Sequence, residues 1–127
     1  MNYSRRLPDA EFEVMKVIWR STPPLSTLQI MEQLPSEKNW KAQTVLTMLV
    51  RLIEKGFLKS ERVGRERNYI PIICEQDYLQ KETGDFMMRH FGNSLGSLVK
   101  TLYDGKNLSL EDIQELRDFL TEKDVMV

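Results

Sequence analysis

The chain has 127 residues, of which 41% are apolar and 29% charged, with one cysteine, one histidine and a formal net charge of −1. This length suits one domain or one with a small appendage. No run of about 18 apolar residues is present to span a membrane, two arginines near the start precede no apolar stretch of a secretory signal, and a single cysteine leaves no internal disulfide, so a reducing, cytoplasmic setting is expected. The charge is unevenly placed: residues 1–37 carry −1, residues 38–73 carry +5 and residues 74–127 carry −5, and local potential matters more than the total for meeting phosphates.

A first helix is predicted from Pro8 or Asp9, with Pro at a favoured first position and Asp9, Glu11 and Glu13 near the positive end of its dipole. Phe12, Met15, Ile18 and Trp19 form its buried side, and the run Ser21-Thr22-Pro23-Pro24 stops it. Leu25 is a short extended link. Ser26 and Gln29 make a capping box for a second helix from Thr27 to about Leu34, burying Leu28, Met31 and Leu34. Pro35 ends it.

The third helix is expected in WKAQTVLTMLVRLIEK, from Trp40 to Lys55, with Asn39 as N-cap and Gly56 at its C-terminal end. Val45, Met48, Leu49, Leu52 and Ile53 recur at i, i+3, i+4, i+7 and i+8 as one apolar stripe. The other face carries Lys41, Gln43, Thr44, Thr47 and Arg51, with no acid before Glu54. Cations and hydrogen-bonding side chains there suit an anionic partner that presents base edges, such as the DNA major groove; an ordinary solvated face is the competing reading.

FLKSERV, Gly64-Arg65 and ERNYIPII then read as a β-hairpin tipped by Arg62, Arg65 and Arg67, with Pro71 marking an edge strand. Three helices followed by a basic hairpin is the order of a winged helix-turn-helix, in which the third helix enters the major groove and the hairpin reaches phosphates or the minor groove. The fold class is thus mainly α: a winged helix-turn-helix over residues 1–73, then a small helical region over 74–127.

That second region is predicted as a helix over 75–91, a second carrying Leu95, Leu98, Val99, Leu102 and Tyr103 and ended by Asp104-Gly105, and a third capped by Ser109 and Asp112. These 54 residues are too few to bury a sound core alone. Leu79, Phe86, Leu95, Leu98, Leu102, Ile113, Leu116 and Leu120 are expected to form a homodimer interface; the alternative is that these helices cover the winged unit of their own chain. A twofold dimer would read two half-sites about 10 base pairs, or a multiple, apart.

Reactive chemistry is missing. Cys74 and His90 are separated by roughly 24 Å of helix and cannot share a metal within one chain. No nucleophile elbow, phosphate loop or zinc-protease signature occurs. Neither a metal, a cofactor nor an enzymatic activity is expected.

Together, EFEVMKVIW (11–19), TVLTMLVRLIEKGFL (44–58), NYIP (68–71), SLVKTLYD (97–104) and LEDIQELRDFL (110–120) resemble the penicillinase-repressor (BlaI/MecI) family of bacterial transcriptional regulators. The resemblance implies an N-terminal winged helix, a helical dimerisation region, and repression through a dyad-symmetric double-stranded DNA operator. By position, Lys41, Gln43, Thr44, Thr47 and Arg51 correspond to the recognition surface and Arg62, Arg65 and Arg67 to the wing. Leu46 departs from the arginine that many members place there. A regulatory protease or an inducer would be the further partner, but the pair aligned with the family's cleaved Asn-Phe bond is Thr101-Leu102, and the copper-responsive members' terminal cysteine cluster is replaced by EKDVMV. A winged helix used only for protein interaction is the remaining alternative, since fold alone does not decide function.

Overall fold

A computed structural model describes residues 6–123; residues 1–5, with the first of the two arginines near the start, and the end of EKDVMV (124–127) lie outside them. The chain divides into two compact units, Met1–Thr83 and Gly84–Val127.

In the first unit, α1 spans Asp9–Trp19, with Pro8 at its N-cap and Asp9 and Glu11 in its first turn. Strand β1 is only Leu25–Ser26, and α2 follows over Thr27–Gln33. Ser26 accepts from the Gln29 N–H while the Gln29 side chain accepts from the Ser26 N–H, the reciprocal capping box that the sequence predicts. The burial of α2 differs from expectation. Ile30 is its fully buried side chain, Met31 and Leu34 are half-buried, and Leu28 is 64% exposed. In a helix of two turns, choosing the inward residue by spacing alone leaves the phase open, and Ile30 takes it.

Helix α3 also starts later than Trp40. A single 3₁₀ turn over Ser36–Lys38 ends at Asn39 in the left-handed region (φ 49°), so Asn39 closes that turn and does not cap α3. The helix runs Ala42–Glu54 with Lys41 as N-cap, while Trp40 is half-buried against the core. At the other end Gly56 (φ 85°) allows a Schellman closure: the Gly56 N–H donates to the Ile53 carbonyl and the Phe57 N–H to the Leu52 carbonyl, at 3.0 and 2.9 Å.

Strands β2 (Leu58–Val63) and β3 (Glu66–Pro71) make an antiparallel hairpin, and β1 pairs with β3 on its other side, giving the order β1-β3-β2. The strand bearing Pro71 is therefore central and not an edge. It tolerates proline because β1 reaches only Asn68 and Tyr69, so no bond to β1 is lost at Pro71.

The core of the first unit is built from Val14, Met15 and Ile18 of α1, Ile30 of α2, Val45, Met48, Leu49 and Leu52 of α3, and Phe57, Leu58 and Tyr69 around the hairpin. Helix α4, Glu75–Phe91, contributes Tyr78 to it. The Tyr78 ring lies 5.6–5.7 Å from those of Phe12, Trp19 and Phe57, and its hydroxyl accepts from the Leu7 N–H at 2.9 Å. Trp19 Nε1 donates to the Ile73 carbonyl at 2.7 Å. These ties carry the first compact unit to Thr83, ten residues beyond the boundary at Cys74 that composition suggests.

The second unit comprises the end of α4, then α5 (Leu95–Asp104) and α6 (Leu110–Glu122). Ser94 caps α5, and Ser109 with Asp112 forms the predicted capping box of α6. Hydrogen bonds from Ser109 hold the Asp112 carboxyl below its ordinary pKa. Among the described residues of this unit no side chain is fully buried.

Candidate nucleic-acid interface

The apolar stripe of α3 determines what its opposite side presents. Val45, Met48, Leu49 and Leu52 are buried, which turns Gln43, Thr44, Leu46, Val50 and Arg51 outward, with Lys41 exposed just before the helix. Thr47 is half-buried, and its hydroxyl donates to the Gln43 carbonyl at 2.9 Å. Its donor is spent within the helix, so towards a partner it offers an acceptor only.

The start of α3 is unlike those of α2, α5 and α6, each capped by a serine. Lys41 makes no side-chain cap and the first turn contains no acid. The first intrahelical bond comes from the Val45 N–H to the Lys41 carbonyl, so the amides of Ala42, Gln43 and Thr44 lie at an uncompensated positive helix end beside a lysine. A lysine opposes the dipole at this position, whereas an anion there would be favoured by both.

The hairpin adds a second cationic element. Gly64, with φ 64° at the first central position of a two-residue turn, lets β2 reverse into β3 and puts Arg65 at the tip. Arg62 and Arg67 are direct cross-strand partners. They share the sheet face of Leu58 and Tyr69, the face that packs on the helices, but lie beyond the core and are exposed. Arg67 Nη1 donates to Ser60 Oγ at 2.9 Å. Like charges facing each other across a strand pair repel, and a phosphate between or beside them removes the penalty.

Some cations elsewhere are held by acids. Arg6 meets Glu82, Lys16 meets Glu13, Arg20 meets Glu75, Lys55 meets Glu11 and Lys100 meets Asp104. Among the described residues, Lys41, Arg51, Arg62, Arg65 and Arg67 form no ion pair, as is also true of Lys38, Lys59, Arg89, Lys106, Arg117 and Lys123; what distinguishes the α3 start is that it has no acid in its first turn and no side-chain cap. Among the described residues, too, no three His, Cys, Asp or Glu side chains gather as metal ligands, and no helix is long and apolar enough to cross a membrane.

Two apolar residues of α3 also face outward: Leu46, which the sequence leaves between an apolar contact to a thymine methyl and no contact, and Val50, which the sequence reading does not include. The signal for them was available: both lie off the 45-48-49-52-53 stripe, and apolar side chains off a stripe point to solvent or to a partner. The expected dimer residues, for their part, are partly or well exposed. Leu79, Phe86, Leu95 and Leu116 are exposed, and Leu98, Leu102, Ile113 and Leu120 are half-buried.

Three helices, a three-stranded sheet and an arginine-tipped hairpin define a winged helix-turn-helix protein. Residues 7–122 match the family model for the penicillinase repressor, and the chain belongs to that family. It is 38% identical over 117 residues to the penicillinase repressor of Bacillus licheniformis, covering 92% of this chain and 91% of the relative. It is 30% identical over 122 residues to the methicillin resistance regulatory protein MecI of Staphylococcus aureus strain N315, covering 96% and 98%. Among solved structures, the DNA-binding domain of the repressor BlaI is similar to it with a TM-score of 0.51 and 42% identity, over 57% of this chain and 88% of that one.

Proposed function

We propose that this chain is a sequence-specific, DNA-binding transcriptional repressor that acts in the cytoplasm as a homodimer on a dyad-symmetric operator. The observation that carries this reading is the exposed basic surface at the start of α3, with no acid in its first turn and no side-chain cap, joined by the exposed arginines of the hairpin. Membership of a family whose named relatives are repressors supports it. In this reading Gln43, Thr44 and Thr47 face base edges. Lys41, Arg51, Arg62, Arg65 and Arg67 hold phosphates on either side, fixing the register without reading sequence. Bound over a promoter, such a dimer blocks transcription by occupancy.

The test is a mobility shift on a site selected from random duplexes, with competitor DNA and a salt series. Each phosphate contact contributes about 0.9 to the log–log salt slope. Arg65→Ala is expected to weaken all duplexes alike and to lower the slope by about that amount, whereas Gln43→Ala relaxes preference at one base pair, worth roughly 1–3 kcal/mol. A uniform loss from both substitutions, with unchanged base preference, contradicts the division of labour. Failure to prefer any duplex contradicts the repressor reading itself and leaves a protein-interaction module.

A further inference from the structure

We infer that Leu46 and Val50 read thymine methyl groups in the major groove, making the selected half-site rich in A·T pairs where the middle of α3 lies. The inference rests on the repressor reading and names what the apolar part of its recognition surface selects.

Leu46 is 36% and Val50 53% exposed, although both belong to the helix that supplies the largest share of the buried core. They stand one turn apart. With Gln43 preceding Leu46 by three residues and Arg51 beside Val50, they form a continuous outward strip. Exposed aliphatic side chains here gain nothing from water, and the strip is flanked by the exposed cations Lys41 and Arg51, with Glu54 at its far end; the cations at its N-terminal and middle parts complement a polyanion more than an apolar protein surface. In the major groove the one apolar feature of a base edge is the 5-methyl of thymine. Gln43, next along the strip, has the bidentate geometry for adenine N6 and N7, so both kinds of side chain select the same base pair. Four residues of helix rise about 6 Å, close to two base-pair steps of about 3.4 Å. The two methyls are therefore expected about two steps apart.

The experiment uses the full chain and the duplex it selects from a random pool. Each thymine of that duplex is replaced in turn by deoxyuridine, which removes the methyl and keeps the base pair. Burial of one methyl-sized group predicts about a fourfold loss of affinity at each sensed position, at two positions separated by about two steps. Leu46→Ala abolishes the thymine-over-uracil preference at one of them and Val50→Ala at the other. Both residues are exposed, so neither change touches the core. Equal binding of every deoxyuridine duplex, with the selected site still preferred over a scrambled one, overturns the inference and leaves the repressor reading intact. Methyl sensitivity that survives both alanine substitutions also overturns it. If no duplex is preferred at all, inference and repressor reading fail together. A change in self-association with unaltered methyl sensitivity assigns the strip to a protein contact instead.

Discussion

One buried acid anchors α3. Glu11 on α1 is only 4% exposed, and it is ion-paired with Lys55, the residue that caps the C-terminal end of α3. The Lys55 side chain is 22% exposed. Removing one partner of a buried pair costs more than the pair is worth, because the survivor is left in low dielectric without compensation. The two partners are not equivalent here. Lys55 has a flexible stem that can carry its ammonium to water, whereas the Glu11 carboxylate has no such route. Lys55→Ala is therefore expected to cost about 3 kcal/mol or more, and Glu11→Ala roughly half as much. Urea midpoints of the two variants check this, and equal losses would show that the ammonium cannot escape. Tyr78 offers a second test at this scale. Burial raises its pKa above the usual 10, while the hydrogen bond from the Leu7 N–H lowers it by less. The folded chain thus keeps a proton that the unfolded chain releases. The stability this represents is complete below the unfolded pKa and is lost as pH rises through the folded one. Tyr78→Phe should flatten the decline of melting temperature above pH 10 relative to the parent, at a neutral-pH cost of about 1–3 kcal/mol for the orphaned amide. Neither role could be read in the sequence. An acid in the first turn of an amphipathic helix reads as a dipole partner, and only the packing of α3 shows where Glu11 points.

Elements were legible where a local rule fixes them and illegible where the tertiary arrangement does. Both capping boxes, the Gly56 stop and the Gly64-Arg65 turn follow from backbone hydrogen bonding and positive φ, which depend on neighbours in sequence, and each formed as expected. The inward stripe of α3 is equally plain, because five apolar residues at helical spacing leave few orientations, and Val45, Met48, Leu49 and Leu52 are buried. By contrast, α3 begins two residues later than the sequence predicts. Nothing local distinguishes a helical Trp40 from one that packs against the core before the helix begins, and Asn39 is as suited to a left-handed turn as to a cap. The short α2 gave the wrong inward residue, and Pro71 misled because its strand becomes central through pairing with a segment more than forty residues earlier. The Gly56 closure carries a prediction at this scale. At φ 85° a Cβ is strained, so Gly56→Ala should destabilise the first unit by about 1–2 kcal/mol. The same change loosens the joint between the end of α3 and β2, so amide exchange at Phe57 should accelerate more than at Val45. Equal acceleration at both would mean that the turn transmits its strain to the whole helix.

At the scale of the molecule, the second unit leaves a series of large apolar side chains exposed. Leu95, Val99, Tyr103, Leu108, Ile113 and Leu116 line one groove between α5 and α6, while Phe119 and Leu110 are 52% and 81% exposed. Exposed apolar area of this extent marks an interaction surface, and a second copy of the same helices, related by a twofold axis, is the occupant we propose. Leu116 gives the cleanest probe because it is 45% exposed; an aspartate there is solvated in the monomer and unpaired in a dimer. Leu116→Asp is expected to sediment as a monomer while the melting of the first unit is unchanged. Its affinity for a single half-site should equal that of the parent. Its affinity for two half-sites in register should fall by about 10²–10⁴, the avidity that linkage supplies. Were the helices instead to cover the winged unit of their own chain, the parent would be monomeric at every concentration and Leu116→Asp would lower the melting temperature of the whole chain. Sedimentation and melting therefore separate the two arrangements, and the ratio of two-site to one-site affinity measures how much of repression depends on the partner subunit.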